Sequence, residues 1–281
     1  GNRDLQHSSS AFRRHFFQHA GFRYVVSSHR ETDSVNPYET DTRVAQALDA
    51  HYGPDYLGVA NFAQSLVALV ARQVPMGGRA LDMGCSVGRT SLELARHCHE
   101  VDGVDFSARF IDVALTLARQ DRFRYALPSE GDLLEYCEAR LSPLGIGAEQ
   151  VARVHFSQGD ACNLKPKYQG YDLILAANLI EQLRDPKRFL LDVAHRLNAG
   201  GILVLSSTYH WQESLTPKEH WLGGIRENGE ALASYPALQR LLAPAFDELA
   251  EPQDLPLVIR QTARQYQHAL AQVTFWRKRA G

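Results

Sequence analysis

No apolar run in this 281-residue chain approaches the roughly 20 residues needed to cross a bilayer as a helix. The opening GNRDLQHSSS has no apolar core of a secretory signal and no initiating Met, and reads as a chain cut from a longer protein. Excess charge is missing too. Thirty Lys and Arg stand against 32 Asp and Glu, so no net charge draws the chain to nucleic acid or to an anionic membrane, and neither partner is expected. Cysteine is scarce. Cys85, Cys98, Cys137 and Cys162 show no C-x-x-C spacing, which points to free thiols in a cytoplasmic protein. His97-Cys98-His99 is the most metal-like run. Adjacent side chains on a helix diverge and no second ligand cluster follows, so no metal is expected.

The chain has an ordinary apolar content and enough length for one sizeable domain with extensions. From Arg79 onward, strand-like and helix-like pieces alternate. ALDM reads as a strand, Gly88 to His97 as a helix, VDGVD as a second strand and Ala108 to Arg119 as a helix. VARVHFSQ is a third strand; YDLILAA is a fourth, its unbroken apolar centre fitting burial on both faces. Asp185-Pro186 has the form of an N-cap and first helical residue, opening a helix to Leu197 that Gly200-Gly201 ends; ILVLSST follows as a fifth strand. HALAQVTFWRKR alternates as a last strand. The pattern predicts a doubly wound, mostly parallel α/β sheet. Val59 to Val74 reads as an amphipathic helix leading into it. Residues 120–150 interrupt the alternation and contain a helix-like piece, Glu130 to Leu141, while HWQESLTPKEHWLGG after Tyr209 reads as a loop or lid.

LDMGCSVGRT, from Leu81 to Thr90, supports two readings. Gly84-Cys85-Ser86-Val87-Gly88 is a literal G-x-S-x-G, the nucleophile elbow of serine hydrolases. That chemistry needs strands ahead of the elbow and an oxyanion loop upstream; the loop instead follows what reads as the first sheet strand, and no HGGG-type stretch precedes it. The alternative is a cofactor loop. Gly84 and Gly88 let backbone approach a ligand, and the helix start offers free N–H groups. Asp105 closes the second strand 21 residues after Gly84, where a ribose-binding carboxylate belongs. D-x-G-x-x-x-G suits S-adenosylmethionine better than a dinucleotide, with Asp82 able to meet the methionine ammonium and Cys85 and Ser86 beside it. Further on, Asp160 of GDACNL can accept from an adenine amino group next to Ala161, Phe106 can pack on the ring, and Asn178 to Gln182 lie at the carboxyl edge of the sheet.

These ordered motifs resemble the class I S-adenosylmethionine-dependent methyltransferases over roughly residues 60–280. The resemblance implies a seven-stranded Rossmann-like sheet with an N-terminal helical extension, and S-adenosylhomocysteine as product. NPYETD (Asn36 to Asp41), HYGPDYLGVANF (His51 to Phe62) and VIRQTARQYQHALAQVTFWRKR resemble the mercaptohistidine N-methyltransferase domain of ovothiol biosynthesis. FRRHFFQHAGFRYV (Phe12 to Val25) resembles the close of the sulfoxide synthase domain that precedes it in bifunctional enzymes. The resemblance therefore implies an extension over 1–35, a methyltransferase domain over 36–281, that synthase domain as partner, and methylation of an imidazole nitrogen of 5-thiohistidine.

Catalysis then reduces to alignment, and to keeping the better nucleophile, sulfur, away from the methyl group. Tyr38, Glu39 and Asn178 are the expected catalytic residues. Tyr38, Glu39, Asn61, Phe62, Glu181, Gln182, Tyr209 and Arg264 are expected to bind the substrate. Plainer readings stay open. Asn36 and Glu39 have capping-box spacing, and Glu181 fits an exposed helix-start carboxylate. Arg260 or Arg264 suits a carboxylate clamp or a solvated strand edge. Tyr209 and Trp211 suit a roof over the ring or a buried aromatic pair.

Overall fold

The computed structural model describes residues 37–280, with side chains from residue 42 onward. The expected extension over 1–35 and Asn36 lie outside the described residues. In chain order the elements are α1 (Pro37–Tyr52), α2 (Phe62–Gln73), β1 (Arg79–Met83), α3 (Arg89–Leu94), β2 (Glu100–Asp105) and α4 (Ala108–Gln120). Next come β3 (Arg122–Glu130), β4 (Leu133–Arg140), α5 (Ala148–Ala152), β5 (Val154–Gln158), β6 (Tyr171–Ala177) and α6 (Pro186–Arg196). The chain closes with β7 (Leu197–Ser207), β8 (Ile225–Glu227), β9 (Glu230–Leu232), α7 (Ser234–Leu242), β10 (Phe246–Arg260) and β11 (Tyr266–Lys278).

Seven strands form one sheet in the order β10-β11-β7-β6-β1-β2-β5. The pairs from β5 across to β7 are parallel, and β11 joins antiparallel to both β7 and β10. This is the doubly wound, mostly parallel sheet that the alternation predicts. Period-two side chains give the central strands two apolar faces. Ile174, Ala176, Leu203 and Leu205 pack with Leu48, Leu117 and Phe189 on one side. Leu173, Leu175, Ile202 and Val204 pack with Leu66 and Val70 on the other. Helix layers therefore cover both faces, which a parallel sheet requires. The strand order reverses between β1 and β6, so their carboxyl ends open a crevice suited to a ligand.

Local signals set the helix boundaries. Ser107 accepts from the Phe110 N–H to start α4, and Asp185 accepts from the Arg188 N–H ahead of Pro186 to start α6, as expected. The leading helix starts at Phe62 and not at Val59, because the Asn61 side chain caps it through the Gln64 N–H.

Further expectations change. Glu130 to Leu141 is no helix: β3 and β4 form an antiparallel hairpin, with Tyr125 opposite Cys137 and Phe123 opposite Ala139. Gly200-Gly201 does not end α6. The helix stops at Arg196 and β7 runs through the glycines, where a Cβ on Gly201 would stand 2.9 Å from the Asn198 carbonyl oxygen. The last strand has a long partner, β10, that the alternation did not reveal.

Candidate functional site

The Gly84–Gly88 loop leaves β1 through left-handed backbone at Gly84, Ser86 and Gly88, with φ of 79°, 51° and 92°. Two of its N–H groups, from Gly84 and Cys85, donate to the Val104 carbonyl of β2. The Asp105 carboxylate fastens the rest: Oδ2 accepts from the Ser86 N–H at 2.9 Å and Oδ1 from the Ser107 N–H at 2.8 Å. Gly88 must lack a side chain, since a Cβ there would stand 2.5 Å from Phe156 Cζ. Beneath the loop lies Asp82, 1% exposed. Its Oδ2 accepts from Ser91 Oγ at 2.6 Å, while Oδ1 has no partner. Burial pushes its carboxyl pKa up to about 7. The Ser86 hydroxyl is buried and bonded to nothing. No base is hydrogen-bonded to it, so the loop does not form a hydrolase elbow.

Two cavities share Gly84 as a wall. The first is lined by Asp105, Phe106, Asp160, Ala161, Leu179 and Gln182 among others. It gathers the expected adenine and ribose residues from the ends of β2, β5 and β6. Asp160 caps the turn over Ala161–Asn163 by accepting from the Cys162 N–H at 2.8 Å. Gln182 donates Nε2 to the Asn178 carbonyl and keeps Oε1 buried without a donor. The second cavity brings Cys85, Ser86 and Asn178 against Asp49, His51 and Tyr56. Asp55 also lines it, and among the described residues no lysine or arginine does.

Asn178 sits where expected, at the sheet edge with φ of 49°. Its backbone N–H donates to the Ser206 carbonyl, and its side-chain Oδ1 accepts from Ser206 Oγ at 3.1 Å. Asn61 and Phe62 line the second cavity. The Asn61 amide is saturated, however, because Nδ2 donates to the Ala50 and His51 carbonyls while Oδ1 caps α2. Tyr38 and Glu39 fall in the first turn of α1, and their side chains lie outside the described residues.

Other expected contacts fall elsewhere. Glu181 is no exposed helix-start carboxylate. It is buried, Oε1 accepts from both the N–H and hydroxyl of Thr208, Oε2 lacks a partner, and burial raises its pKa. It lines neither cavity. Tyr209 donates its hydroxyl to Gln272 Oε1 and lines neither cavity. Trp211 stacks on Trp221 at 6.4 Å between ring centres and donates to Ser234 Oγ. Arg264 is exposed in the β10–β11 turn, away from both cavities, whereas Arg260 is buried and paired with Glu135 of β4.

The α1 wall went unread in the sequence. Asp49, 4% exposed, accepts from the Tyr56 and Tyr125 hydroxyls at 3.1 and 3.2 Å, both on Oδ1. His51 Nδ1 accepts from the Arg89 N–H at 3.2 Å, which leaves the ring proton on Nε2. Burial and the Arg89 charge hold its pKa down at about 3, so the ring is neutral. Arg89 itself is buried, paired with Glu93 at 2.7 Å and bonded to the His51 carbonyl. The signal was present: Ala45, Leu48, Asp49 and Tyr52 share the inward face of α1, so Asp49 is an acid in a core position.

Known proteins extend this picture. Residues 58–245 match the family described as Methyltransferase domain. The ubiquinone biosynthesis O-methyltransferase of Coxiella burnetii is 27% identical over 139 residues, 49% of this chain and 47% of that protein. The ajmaline N-methyltransferase of Rauvolfia serpentina is 24% identical over 161 residues, 55% of this chain and 45% of that protein. The chain thus spans about half the length of these curated relatives. Among solved structures, the [4+2]-cyclase SpnF superposes with a TM-score of 0.54 and 18% identity, covering 87% of this chain and 94% of that one. Its likeness establishes the fold. Among the described residues no group of three or more His, Cys, Asp and Glu is placed to hold a metal, and no helix is long and apolar enough to cross a membrane.

Proposed function

The chain belongs to the family of methyltransferase domains, and from that premise we propose that it transfers a methyl group from S-adenosylmethionine to an imidazole nitrogen of 5-thiohistidine. When bound, the cofactor supplies a sulfonium-activated methyl. The residues present fit it. Ser86 Oγ and Gln182 Oε1 are buried polar atoms without partners on residues of the cavity walls, and Asp82 Oδ1, two residues ahead of Gly84, is another; such atoms are costly unless a ligand meets them. On this reading Asp105 receives the ribose hydroxyls, Asp160 with Ala161 and Phe106 receives the adenine, and Asp82 attracts the ammonium end through the loop.

The observation that carries the acceptor assignment is the second cavity, whose wall joins the cofactor loop to Asp49, His51, Tyr56 and Asn178. It has carboxylate and hydroxyl groups for the ammonium and ring N–H of the substrate. His51, held neutral with its proton on Nε2, is a donor suited to hold a thiolate aside from the methyl. The sequence features shared with ovothiol methyltransferases point to the same acceptor. Residues 1–35 belong, on this reading, to the end of a preceding synthase domain, and the protein works in the cytoplasm.

Incubation with S-adenosylmethionine and 5-thiohistidine, with histidine as control, tests the proposal by mass and NMR of the product. A ring N-methyl formed only on the thiolated substrate is expected. Binding of S-adenosylmethionine by calorimetry, with no turnover and no methylated acceptor, would instead fit a non-catalytic cofactor-binding module. The cyclase neighbour makes that second reading concrete, because its fold is shared with a protein described as a [4+2]-cyclase.

A further inference from the structure

We infer that Asp49 is the acceptor-orienting, proton-accepting carboxylate of this site. Its Oδ2 receives the N–H of the acceptor's nitrogen heterocycle and takes that proton as the other ring nitrogen gains the methyl. The inference rests on the proposed N-methylation and goes beyond it by assigning the group that fixes the tautomer.

Asp49 lies in the wall of the cavity that also contains Ser86 and Asn178. The Tyr56 and Tyr125 hydroxyls both donate to Oδ1, and no hydrogen bond from the described residues reaches Oδ2. Two phenols from separate segments thus fix the carboxylate plane and leave one oxygen for a ligand. The groups facing it are Tyr56 from the α1–α2 connection, Tyr125, Glu135 and Cys137 from the hairpin, and Arg260 from β10. Arg260 is matched by Glu135 and by the Thr262 carbonyl, so Asp49 is not half of an ion pair. Burial outweighs the hydroxyl donors and raises its pKa, which improves it as a base.

The step balances without a further reagent. The ring-nitrogen lone pair forms the new N–C bond. The C–S⁺ bond breaks, and its electron pair stays on sulfur as a neutral thioether. The imidazolium N–H proton passes to Asp49 and then to water. A tautomer presenting N–H to Asp49 has its lone pair on the opposite nitrogen, so this contact also selects the methylated atom.

The test uses the full chain with Asp49→Asn, Asp49→Glu and Tyr125→Phe. Calorimetry should give S-adenosylmethionine affinity within threefold of wild type for Asp49→Glu and Tyr125→Phe, and no more than about tenfold weaker for Asp49→Asn, which removes part of the negative charge of the cavity. With 5-thiohistidine, the Asn variant should lose 100-fold or more in kcat together with the acid limb of its pH profile, and the Glu variant should recover part of the loss. Tyr125→Phe removes a donor that lowers the Asp49 pKa, so its acid limb should move to higher pH. This arm also decides the matter if the Asn variant does not fold. An Asn variant within threefold of wild type, or an acid limb unmoved in Tyr125→Phe, overturns the inference. If the wild type does not methylate 5-thiohistidine, the functional proposal fails by itself. Asp49 is then judged with imidazole as probe on the protein loaded with S-adenosylhomocysteine: binding lost in Asp49→Asn supports the role, and equal or absent binding overturns it.

Discussion

Asp82→Asn should make the cofactor-free protein more stable and the cofactor bind worse. Asp82 is 1% exposed, has one oxygen bonded to Ser91 and the other to nothing, and has a pKa pushed up to about 7. In the unfolded chain an aspartate titrates near 3.9. The folded state therefore holds this proton more tightly, and the stability it provides is complete below about pH 4 and lost as pH rises through about 7. Three pKa units correspond to roughly 4 kcal/mol. At pH 8 the neutral Asn should return a part of that, about 1–2 kcal/mol, because its amide keeps an imperfect set of partners. For a chain of this size that is a rise in Tm of several degrees, shrinking toward zero at pH 4. S-adenosylmethionine should act in the opposite sense. A cationic cofactor favours the ionised carboxylate, so its affinity should climb with pH up to about 7 and flatten above, and binding near pH 6 should release a proton seen as buffer-dependent heat. In Asp82→Asn both the slope and the proton release should vanish. Equal Tm profiles from pH 4 to 8 for the two proteins, or wild-type binding that ignores pH, would refute the reasoning.

Asp105→Ala removes the acceptor for the Ser86 and Ser107 N–H groups, and should weaken S-adenosylmethionine at least about tenfold by calorimetry. Gly88→Ala places a methyl against Phe156 on left-handed backbone; denaturant unfolding should register a loss of about 3 kcal/mol. Ser86→Ala removes one of the unpartnered groups of the loop and should weaken S-adenosylmethionine by no more than about tenfold, and the wild type should show no labelling of Ser86 by a fluorophosphonate. Covalent modification there would revive hydrolase chemistry.

Local chemistry was the part of the molecule that the sequence made legible. Asp185-Pro186, the buried run YDLILAA and the spacing from Gly84 to Asp105 each depend on neighbours a few residues apart or on one βαβ unit, and all appear as expected. The hairpin did not announce itself. GDLLEYCEAR has good helix formers, and only Cys137 and Ala139 turn inward, so its period of two is visible at just two positions. Gly200-Gly201 read as a stop because glycine usually ends helices; here it admits the close backbone of Tyr171 and Asn198 within a strand. The Asp49 wall is assembled from α1, the Tyr56 loop, β3, β4 and β10. Contacts spanning 76 residues between Asp49 and Tyr125, and 125 between Arg260 and Glu135, leave no mark in any local window.

The wall beside Ser86 contains Asp49 and Asp55 and, among the described residues, no lysine or arginine, and the nearby Arg89 is already matched by Glu93. On the proposed chemistry, this sets the direction of traffic through the crevice. The incoming sulfonium is a cation and gains from that negative field; the thioether left after transfer is neutral there and does not. One chemical step thus cancels part of the attraction that loaded the site, so raised salt should weaken S-adenosylmethionine more than S-adenosylhomocysteine.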